Sequence, residues 1–377
     1  MKVSQITVSG QAISAADFNG LTALKPDLVL AFGSVDALQA AAAGLAAAFP
    51  EAHRAGCSTA GEISSQGVRD HTLVVTALQF DQVRVTQVST VLANMEDSHS
   101  AGQRLAAGLA LDGLRAVLIF GQGVQINGSA VYAGVTGVVG TRVPVTGGLA
   151  GDGGAFLQTC VLDNGGVSHN RLTCLGLYGE SLKYSYGSFG GWSAFGPARK
   201  VTRCQHNVLF ELDHEPALQV YKRNIGLHAK DLPGSGLLFP FAILGSDHSE
   251  AGLIRSILGV DEATGSLTLA GDIDADGYLR LMHANTDALV EGAEMAAKTA
   301  LQLKDIPGLA LLISCVGRKL VMGGRVAEEV RAVGDIFGKH TTLAGFYAYG
   351  ELSPFKNDRA YGLHNQTMTI TCLSEAD

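Results

Sequence analysis

Charged residues are scarce in this chain, and no segment concentrates positive charge. Only 16% of the 377 residues are Asp, Glu, Lys or Arg, and the formal net charge is −8. A protein that follows a nucleic-acid backbone needs clustered lysine and arginine to neutralise the phosphates. The composition therefore argues against nucleic-acid binding.

Long apolar runs are also missing. A membrane-spanning helix needs about 20 consecutive apolar residues, whereas the longest candidate, residues 105–120, is interrupted by Asp112 and Arg115. The first five residues lack the charged-then-apolar pattern of a secretory signal. We therefore expect a soluble cytoplasmic protein that does not associate with a membrane.

Closely paired cysteines are absent as well. The six cysteines are scattered, without the Cys-x-x-Cys spacing of structural zinc sites, redox dithiols or c-type haem attachment. In a reducing cytoplasm we expect most of them to be small buried hydrophobic residues. What the chain does have is 47% hydrophobic residues, enough for a large packed core, and a length typical of about two domains.

One short pattern occurs three times. Residues 55–64 and 344–353 both read Ala-Gly, four residues, Gly-Glu, an aliphatic residue and Ser. A looser copy at 145–154 has Asp152 where the others have glutamate. Each copy follows an apolar run, a small-residue turn and a helical stretch, which predicts a repeated β-α-β-glycine-turn unit.

The predicted fold is α/β, with two similar lobes of mixed β-sheets covered by helices and a ligand site at their junction. Residues 27–34 are typical of a buried strand and 35–49 of an alanine-rich helix, so the first unit should pair its strands in parallel. Asn164-Gly165 and Asp276-Gly277, each between apolar runs, predict two hairpins. The glycine-rich segment 180–200 should cross between the lobes.

The order of these motifs resembles the FIST family (F-box and intracellular signal transduction). The resemblance covers about residues 27–371 and implies an N-terminal extension (1–26), a FIST N domain (27–215) and a FIST C domain (216–377). The matching stretches are Gly56-Cys57-Ser58-Thr59-Ala60-Gly61-Glu62-Ile63, Gly147-Gly148-Leu149-Ala150-Gly151-Asp152, Asn207-Val208-Leu209-Phe210-Glu211-Leu212-Asp213, Ser314-Cys315-Val316-Gly317-Arg318, Gly345-Phe346-Tyr347-Ala348-Tyr349-Gly350-Glu351 and His364-Asn365-Gln366-Thr367.

Membership of this family implies a non-catalytic sensory protein that binds a small molecule. A stand-alone chain of this size resembles the family's nitric-oxide-sensing (NosP) group. That resemblance implies haem as the cofactor, nitric oxide as the signal, and a histidine kinase or cyclic-di-GMP enzyme as the partner. The high apolar content is also compatible with a homodimer.

A haem sensor needs an axial donor, usually a neutral imidazole, in an apolar pocket. Among the eleven histidines, His364 lies in a family motif and is the first candidate, and His53 beside the first repeat is the second. Each has an alternative interpretation. His364 would instead be buried and bonded to the backbone, and His53 would be a solvated surface residue.

A ligand that resembles an amino acid is the competing hypothesis. Acidic groups at the repeats would bind an amine, Arg318 would bind a carboxylate, and bare N–H groups of the glycine turns would form an anion nest. Alternatively, the two glutamates only hold their own turns. The predicted ligand-binding residues are Gly56, Cys57, Ser58, Thr59, Gly61, Glu62, Asp152, Arg318, Tyr347, Tyr349 and Glu351.

A cysteine-dependent enzyme is the third hypothesis and the least favoured. Cys57 and Cys315 both lie at predicted strand ends. A cysteine nucleophile needs a nearby base or positive charge to form its thiolate, and the sequence contains no recognised catalytic signature. We therefore expect that the protein is not an enzyme.

Overall fold

The structure is a computed structural model that describes residues 1–10, 12–301, 307–355 and 362–376. In these ranges the chain forms three mixed six-stranded sheets and one antiparallel eight-stranded sheet, accompanied by eight α-helices. The predicted α/β class, with helix-covered mixed sheets, repeated units and two lobes, is confirmed. None of the helices in these ranges is long and apolar enough to cross a bilayer.

The three mixed sheets share one strand order. In the first, the order is β1 (Lys2–Val8), β6 (Leu73–Gln79), β2 (Leu28–Gly33), β3 (His53–Ser58), β10 (Val161–Asp163) and β11 (Gly166–Ser168). In the second it is β7 (Arg84–Val91), β12 (Arg171–Tyr178), β8 (Leu114–Gly121), β9 (Val145–Leu149), β24 (Gly350–Leu352) and β25 (Leu363–His364). In the third it is β13 (Leu182–Phe189), β26 (Met368–Glu375), β22 (Leu309–Cys315), β23 (Thr342–Ala348), β4 (Glu62–Ser64) and β5 (Gly67–Arg69).

Each repeat donates a strand to another repeat. The central pairs β2/β3, β8/β9 and β22/β23 are parallel, as predicted for the first. The strand after each glycine turn then leaves its own sheet, so that β4 pairs with β23, β24 with β9 and β10 with β3. The three repeats are therefore interlocked in a cycle, and the N-terminal and C-terminal parts of the chain share two sheets.

A glycine occupies the same place in each central pair. Gly56, Gly147 and Gly345 have φ angles of 154°, 141° and 153°, in a region that side chains disfavour. A Cβ atom at any of them would come within 1.9 Å of a carbonyl oxygen of the parallel neighbour. These positions require glycine for both reasons, which explains why the pattern recurs.

Helices cover the outer faces of the mixed sheets. The first sheet packs against α2 (Val35–Ala48), the second against α3 (Ser98–Ala107) and α4 (Gly128–Val139), and the third against α6 (Thr286–Ala300) and α8 (Ala327–Phe337). Ser34, Asn127 and Asn285 begin three of these helices by accepting a backbone N–H three residues on. The shorter helices are α1 (Asn19–Thr22), α5 (Ala217–Ile225) and α7 (Val316–Met322).

The inner faces of the three sheets meet in one hydrophobic core. At its centre the ring of Phe32 lies 4.8 Å from that of Phe346 and 5.4 Å from that of Phe120, measured between centroids. Close approach of this kind fills the space between the sheets with aromatic side chains. The middle of the molecule is therefore packed core.

The antiparallel sheet forms the smaller lobe, between residues 193 and 283. The Asn164-Gly165 turn does join a hairpin, β10/β11, but the hairpin predicted at Asp276-Gly277 is wrong. The segment 266–269 instead pairs with β15 and β19, while 278–283 pairs with β14 and β17. The strands of this lobe are β14 (Ser193–Gln205), β15 (Val208–Leu212), β16 (Glu215–Pro216), β17 (Phe241–Leu244), β18 (Glu250–Arg255), β19 (Ile257–Asp261), β20 (Ser266–Leu269) and β21 (Tyr278–His283).

The repeated glycine can be tested directly. We expect Gly345→Ala to destabilise the protein by about 4 kcal/mol or more, because the new methyl group would overlap the Leu312 carbonyl oxygen. Gly137→Ala in α4 is the matched control, since nothing lies within 4 Å of its Cβ position, and it should be neutral or slightly stabilising. Chemical denaturation measures both, and equal stabilities would contradict the proposed role of Gly345.

Candidate functional site

The three glycine turns bond to one another. The N–H of Ala60 donates to Tyr347 O at 2.8 Å, Tyr347 N–H donates back to Gly61 O at 2.8 Å, and Gly151 N–H donates to Ser58 O at 2.9 Å. These N–H groups join the repeats to each other. They are therefore already occupied and do not form the predicted anion nest.

Glu62 is a fully bonded structural carboxylate. One oxygen accepts the N–H of Thr72 at 2.9 Å and its hydroxyl at 2.8 Å, and the other accepts the hydroxyl of Thr59. Burial raises the pKa of Glu62, and these hydrogen bonds oppose the shift. The alternative interpretation, that this glutamate holds its own turn, describes what the structure contains.

Glu351 occupies the corresponding place in the third repeat but is only half bonded. Its Oε2 accepts the N–H of Thr367 at 3.2 Å and the hydroxyl at 2.8 Å, as Glu62 does with Thr72. Its Oε1 is buried and accepts no hydrogen bond from a nitrogen or oxygen group in the part of the chain described, and the Cys315 thiol adjoins the carboxyl group. The position of Thr59 is taken by Ala348, which has no hydroxyl to offer.

Burial dominates the protonation of Glu351. The side chain is fully buried, and this burial raises its pKa to about 8, although the hydrogen bonds from Thr367, the nearby Arg318 charge and the adjoining Cys315 thiol oppose the shift. The carboxyl group is therefore mostly protonated at neutral pH. Burial, followed by the Glu351 charge, also raises the pKa of the Cys315 thiol.

Three more unpartnered polar atoms belong to residues that are close to Glu351 along the chain or just beyond its partner strand. They are the Ser353 hydroxyl and the side-chain carbonyl oxygens of Asn365 and Gln366, all buried and without a partner among the described residues. Glu351 pairs directly with His364 across β24/β25, which brings the two segments together. We call Glu351, Ser353, Asn365 and Gln366 the Glu351 cluster.

Most buried polar groups in proteins have a hydrogen-bond partner. Four unpartnered atoms in two adjoining segments are therefore unusual, and a bound polar molecule or buried water would satisfy them. Three of the four groups carry a carbonyl or carboxyl oxygen, so the cluster mainly offers hydrogen-bond acceptors. This chemistry suits a ligand that is rich in N–H donors.

The Glu351 cluster lies where the smaller lobe meets the mixed sheets. Gln366 Nε2 donates to Leu237 O at 2.8 Å and to Ser256 Oγ at 2.9 Å. The indole N–H of Trp192 donates to Gln366 O at 2.7 Å. The chain crosses between the lobes here, through residues 190–192, as the glycine-rich segment predicted.

Arg255 is a residue near this cluster that the sequence reasoning missed. It is only 3% exposed, and its Nη1 donates to the backbone oxygens of Leu363 and Ile254 at 3.3 and 3.1 Å. Burial lowers the pKa of its guanidinium to about 10, although the charge of Asp272 opposes the shift, and no carboxylate of the described residues forms an ion pair with it. Arg255 ends β18 directly after the apolar Leu253 and Ile254, and an arginine in that position was the signal available in the sequence.

Arg318 and Tyr347 serve another buried network. The Arg318 guanidinium donates to Glu329 at 2.7 Å and to the Leu289 carbonyl oxygen at 2.8 Å, and Tyr347 donates its hydroxyl to Glu329 at 2.6 Å. Both side chains are completely buried. Arg318 is therefore engaged with an internal carboxylate and does not present the predicted fork to a ligand.

Asp152 and Tyr349 hold a loop and are not part of an acidic triad. Asp152 accepts the backbone N–H groups of Phe156, Leu157 and Gln158 at 2.7–2.8 Å, together with the Tyr349 hydroxyl. The grouping of Asp152 with the two glutamates is therefore wrong. In the strand pairing, the apolar Val161 of the second repeat occupies the position that Glu62 and Glu351 occupy in the other two repeats.

The two cysteines considered as nucleophiles are buried thiols. Burial raises the pKa of Cys57 well above its usual value, with Cys160 adding to the effect, and burial also raises that of Cys315. Neither thiol is therefore disposed to ionise. The neighbouring Ser58 hydroxyl accepts the Cys160 N–H at 2.9 Å, which ties two sheet segments together.

His364 does not fit the axial position of a haem. Its Nε2 lies 2.9 Å from the backbone oxygen of Ser353, and its ring stacks on Phe355 with 3.8 Å between centroids. Burial lowers the pKa of His364 to about 4, so the ring is neutral. One face and one nitrogen are occupied, which leaves no room for a porphyrin at that nitrogen.

His53 does not fit either. Its Nε2 lies 3.1 Å from Val85 O and its Nδ1 lies 3.1 Å from the side-chain nitrogen of Asn164, so both ring nitrogens have partners. The ring is partly buried, and burial lowers its pKa. Among the described residues, no three His, Cys, Asp or Glu side chains form a group that could hold a metal ion.

Comparison with known families places these features in context. The model of the FIST N domain matches residues 27–215, and that of the FIST C domain matches residues 217–354. The chain belongs to the FIST family. FIST domains are sensory domains of signal-transduction proteins, so a sensory role is supported for this FIST protein. No curated protein matches its sequence.

Two solved structures of cyanuric acid hydrolases are similar over nearly their whole length. The enzyme from A. caulinodans is 9% identical with a TM-score of 0.36, and covers 100% of this chain and 99% of its own. A second, described as an evolutionary innovation by structural concatenation, is 10% identical with a TM-score of 0.32, and covers 99% of both chains. Similarity at this level says nothing about activity in the FIST protein.

The protonation of Glu351 predicts a pH dependence of stability. Its folded pKa of about 8 lies above the ordinary carboxyl value of 4.5, so the folded state binds the proton more tightly and loses stability as pH rises through this window. Between pH 6 and pH 8 the wild type should lose about 2 kcal/mol relative to Glu351→Gln. Denaturation at both pH values measures the difference.

Glu180→Gln is the control, because Glu180 is exposed. That variant should follow the wild type at both pH values. If Glu351→Gln also followed the wild type, the carboxyl group would not be neutral in the folded protein.

Proposed function

We propose that this FIST protein is a non-catalytic sensor that binds a small polar ligand at the Glu351 cluster. The observation that supports this most is the set of four buried, unpartnered polar atoms in two adjoining segments. The cluster lies between the two lobes, where an enclosed ligand would contact both. A change in ligand occupancy would then alter how the lobes pack against each other.

An amino-acid-like molecule is the ligand class we propose first. Its ammonium group would find acceptors in Glu351, Asn365 and Gln366, whose free oxygens suit N–H donors. Its carboxylate would pair with Arg255, a buried cation without an ion-pair partner among the described side chains. Arg255 donates to Leu363 O, one residue from His364, which pairs with Glu351.

Haem-based sensing of nitric oxide, which the NosP resemblance implies, receives less support. Both nitrogens of His53 have partners, and the buried His364 has one nitrogen and one ring face occupied, which argues against axial ligation by either. A cysteine-dependent enzyme is less supported still, because both candidate thiols are buried with raised pKa values.

Such a sensor would pass its signal to a separate signalling protein. On the family resemblance we propose a histidine kinase or a cyclic-di-GMP enzyme as this partner, acting in the cytoplasm. The ligand-bound and ligand-free forms would differ in their affinity for the partner, because a ligand shifts an equilibrium only through differential binding.

The ligand proposal is tested by a thermal-shift screen of the common amino acids at pH 7.5. We expect at least one to raise Tm by about 3 °C at saturating concentration, since binding to the folded state alone stabilises it. Glu351→Gln and Arg255→Gln should abolish the shift. Glu62→Gln, at the corresponding place in the first repeat, should retain it.

Failure of every amino acid to raise the Tm of the wild type would overturn the proposed ligand class. A shift that survives in Glu351→Gln and Arg255→Gln would instead keep a sensory role and move the site elsewhere.

Haem binding is tested by titration of the purified protein with haemin. We expect no saturable complex at one haem per chain, because both nitrogens of His53 have partners and the buried His364 ring has one nitrogen and one face occupied. A sharp Soret band that shifts with nitric oxide and disappears in His364→Ala would contradict this expectation and restore the haem hypothesis.

A further inference from the structure

One difference between the first and third repeats decides whether the glutamate keeps an oxygen without a hydrogen-bond donor. Glu62 receives the hydroxyl of Thr59 on one oxygen and Thr72 on the other. Glu351 receives only Thr367, because Ala348 stands in the place of Thr59. The two repeats approach the glutamate in the same way, since Gly56 and Gly345 have nearly equal φ angles and each lies in a parallel strand pair.

We propose that alanine at position 348 leaves the Glu351 carboxyl group open to receive a cationic nitrogen of the ligand. This inference rests on the proposed function and specifies the ligand chemistry at its central group. A threonine at position 348 would close the site internally, as Thr59 closes the corresponding site in the first repeat. The binding site is thus the repeat from which the internal partner is missing.

The charged groups around Glu351 leave its negative charge available for one added cation. Glu351 faces the Cys315 thiol on β22 and Arg318 on α7, and Arg318 already forms an ion pair with Glu329. Across β25 it faces His364, which is neutral because burial lowers its pKa to about 4. The charge of Arg255 in the smaller lobe also lowers the pKa of His364, and Asp272 acts on that charge without forming an ion pair with it.

Binding of a cation would displace the carboxyl proton. The O–H bond of Glu351 breaks, its proton passes to solvent, and the resulting carboxylate accepts N–H bonds from the ligand. The neighbouring Asn365 and Gln366 oxygens, unpartnered among the described residues, would accept the remaining N–H groups. Because only the ionised form binds, the apparent affinity should rise about tenfold between pH 6 and pH 7.

Guanidinium and urea form a matched pair of probes, since they are similar in shape and differ in charge. Isothermal titration of each, at concentrations well below denaturing, is carried out in two buffers of different ionisation enthalpy. We expect guanidinium to bind the wild type at pH 7 and to release close to one proton. Urea should bind at least tenfold more weakly and release none.

Variants at position 348 then separate the effect of an added hydroxyl from the effect of added side-chain volume. Ala348→Thr should weaken guanidinium binding at least tenfold, whereas Ala348→Val, which has the same shape without the hydroxyl, should weaken it less. If both bulky variants fail to fold, Ala348→Ser supplies the hydroxyl at a smaller volume. Glu351→Gln should abolish binding and proton release, and Glu62→Gln should change neither.

Equal binding of guanidinium and urea, or guanidinium binding unchanged in Glu351→Gln, would overturn the inference. In the second case an amino-acid ligand found by the thermal-shift screen would still support a sensor with its site elsewhere. A wild type that binds guanidinium with proton release but no amino acid would keep the cation site and reject the proposed ligand class.

Discussion

Close approach of backbone to backbone inside each parallel pair is the constraint on which this fold depends. At Gly56, Gly147 and Gly345 the chain turns against the carbonyl oxygen of the neighbouring strand, where a side chain has no room. The turn sends the following strand into another repeat's sheet. Because each repeat completes another, none of the three can be removed without exposing a sheet edge, and the cycle of sheets closes on one aromatic core.

Within this cycle, equivalent positions have acquired different roles. Glu62 is saturated by two threonines, the second repeat has Val161 in that register, and Glu351 keeps one oxygen unpartnered among the described residues. Leaving a buried carboxylate oxygen unpaired costs free energy. Protonation of Glu351, which burial favours by raising its pKa, reduces that cost because the carboxyl group is then neutral. In the proposed sensor a reversible ligand would supply the missing partner, and the smaller lobe contributes contacts to Gln366 and to Leu363 nearby.

Much of the framework could be predicted from local pattern. The glycine-turn repeats, the parallel first unit and the crossing near Trp192 follow from periodicity and from the conformations that only glycine adopts easily. Pairing between strands that are distant in sequence could not be predicted, because the local pattern of residues does not show which distant strand a segment will join. The Asp276-Gly277 turn was mistaken for a hairpin since its strands pair with segments far away in sequence. Asp152 was grouped with the glutamates by spacing alone, and its loop placed it elsewhere.

The sequence by itself determined the class of the protein, its α/β repeats and its membership of the FIST family, because these depend on residue types at short spacing. Tertiary structure decided which polar groups have partners. Glu62 and Glu351 hold the same place in the repeated pattern, and only the structure shows that the residue three positions earlier, Thr59 or Ala348, decides whether the glutamate is fully bonded. The same is true of Arg318 and Arg255. One is neutralised by Glu329 and the other lacks an ion pair in the described ranges, and only the packed fold, which selects each side chain's neighbours, makes that difference.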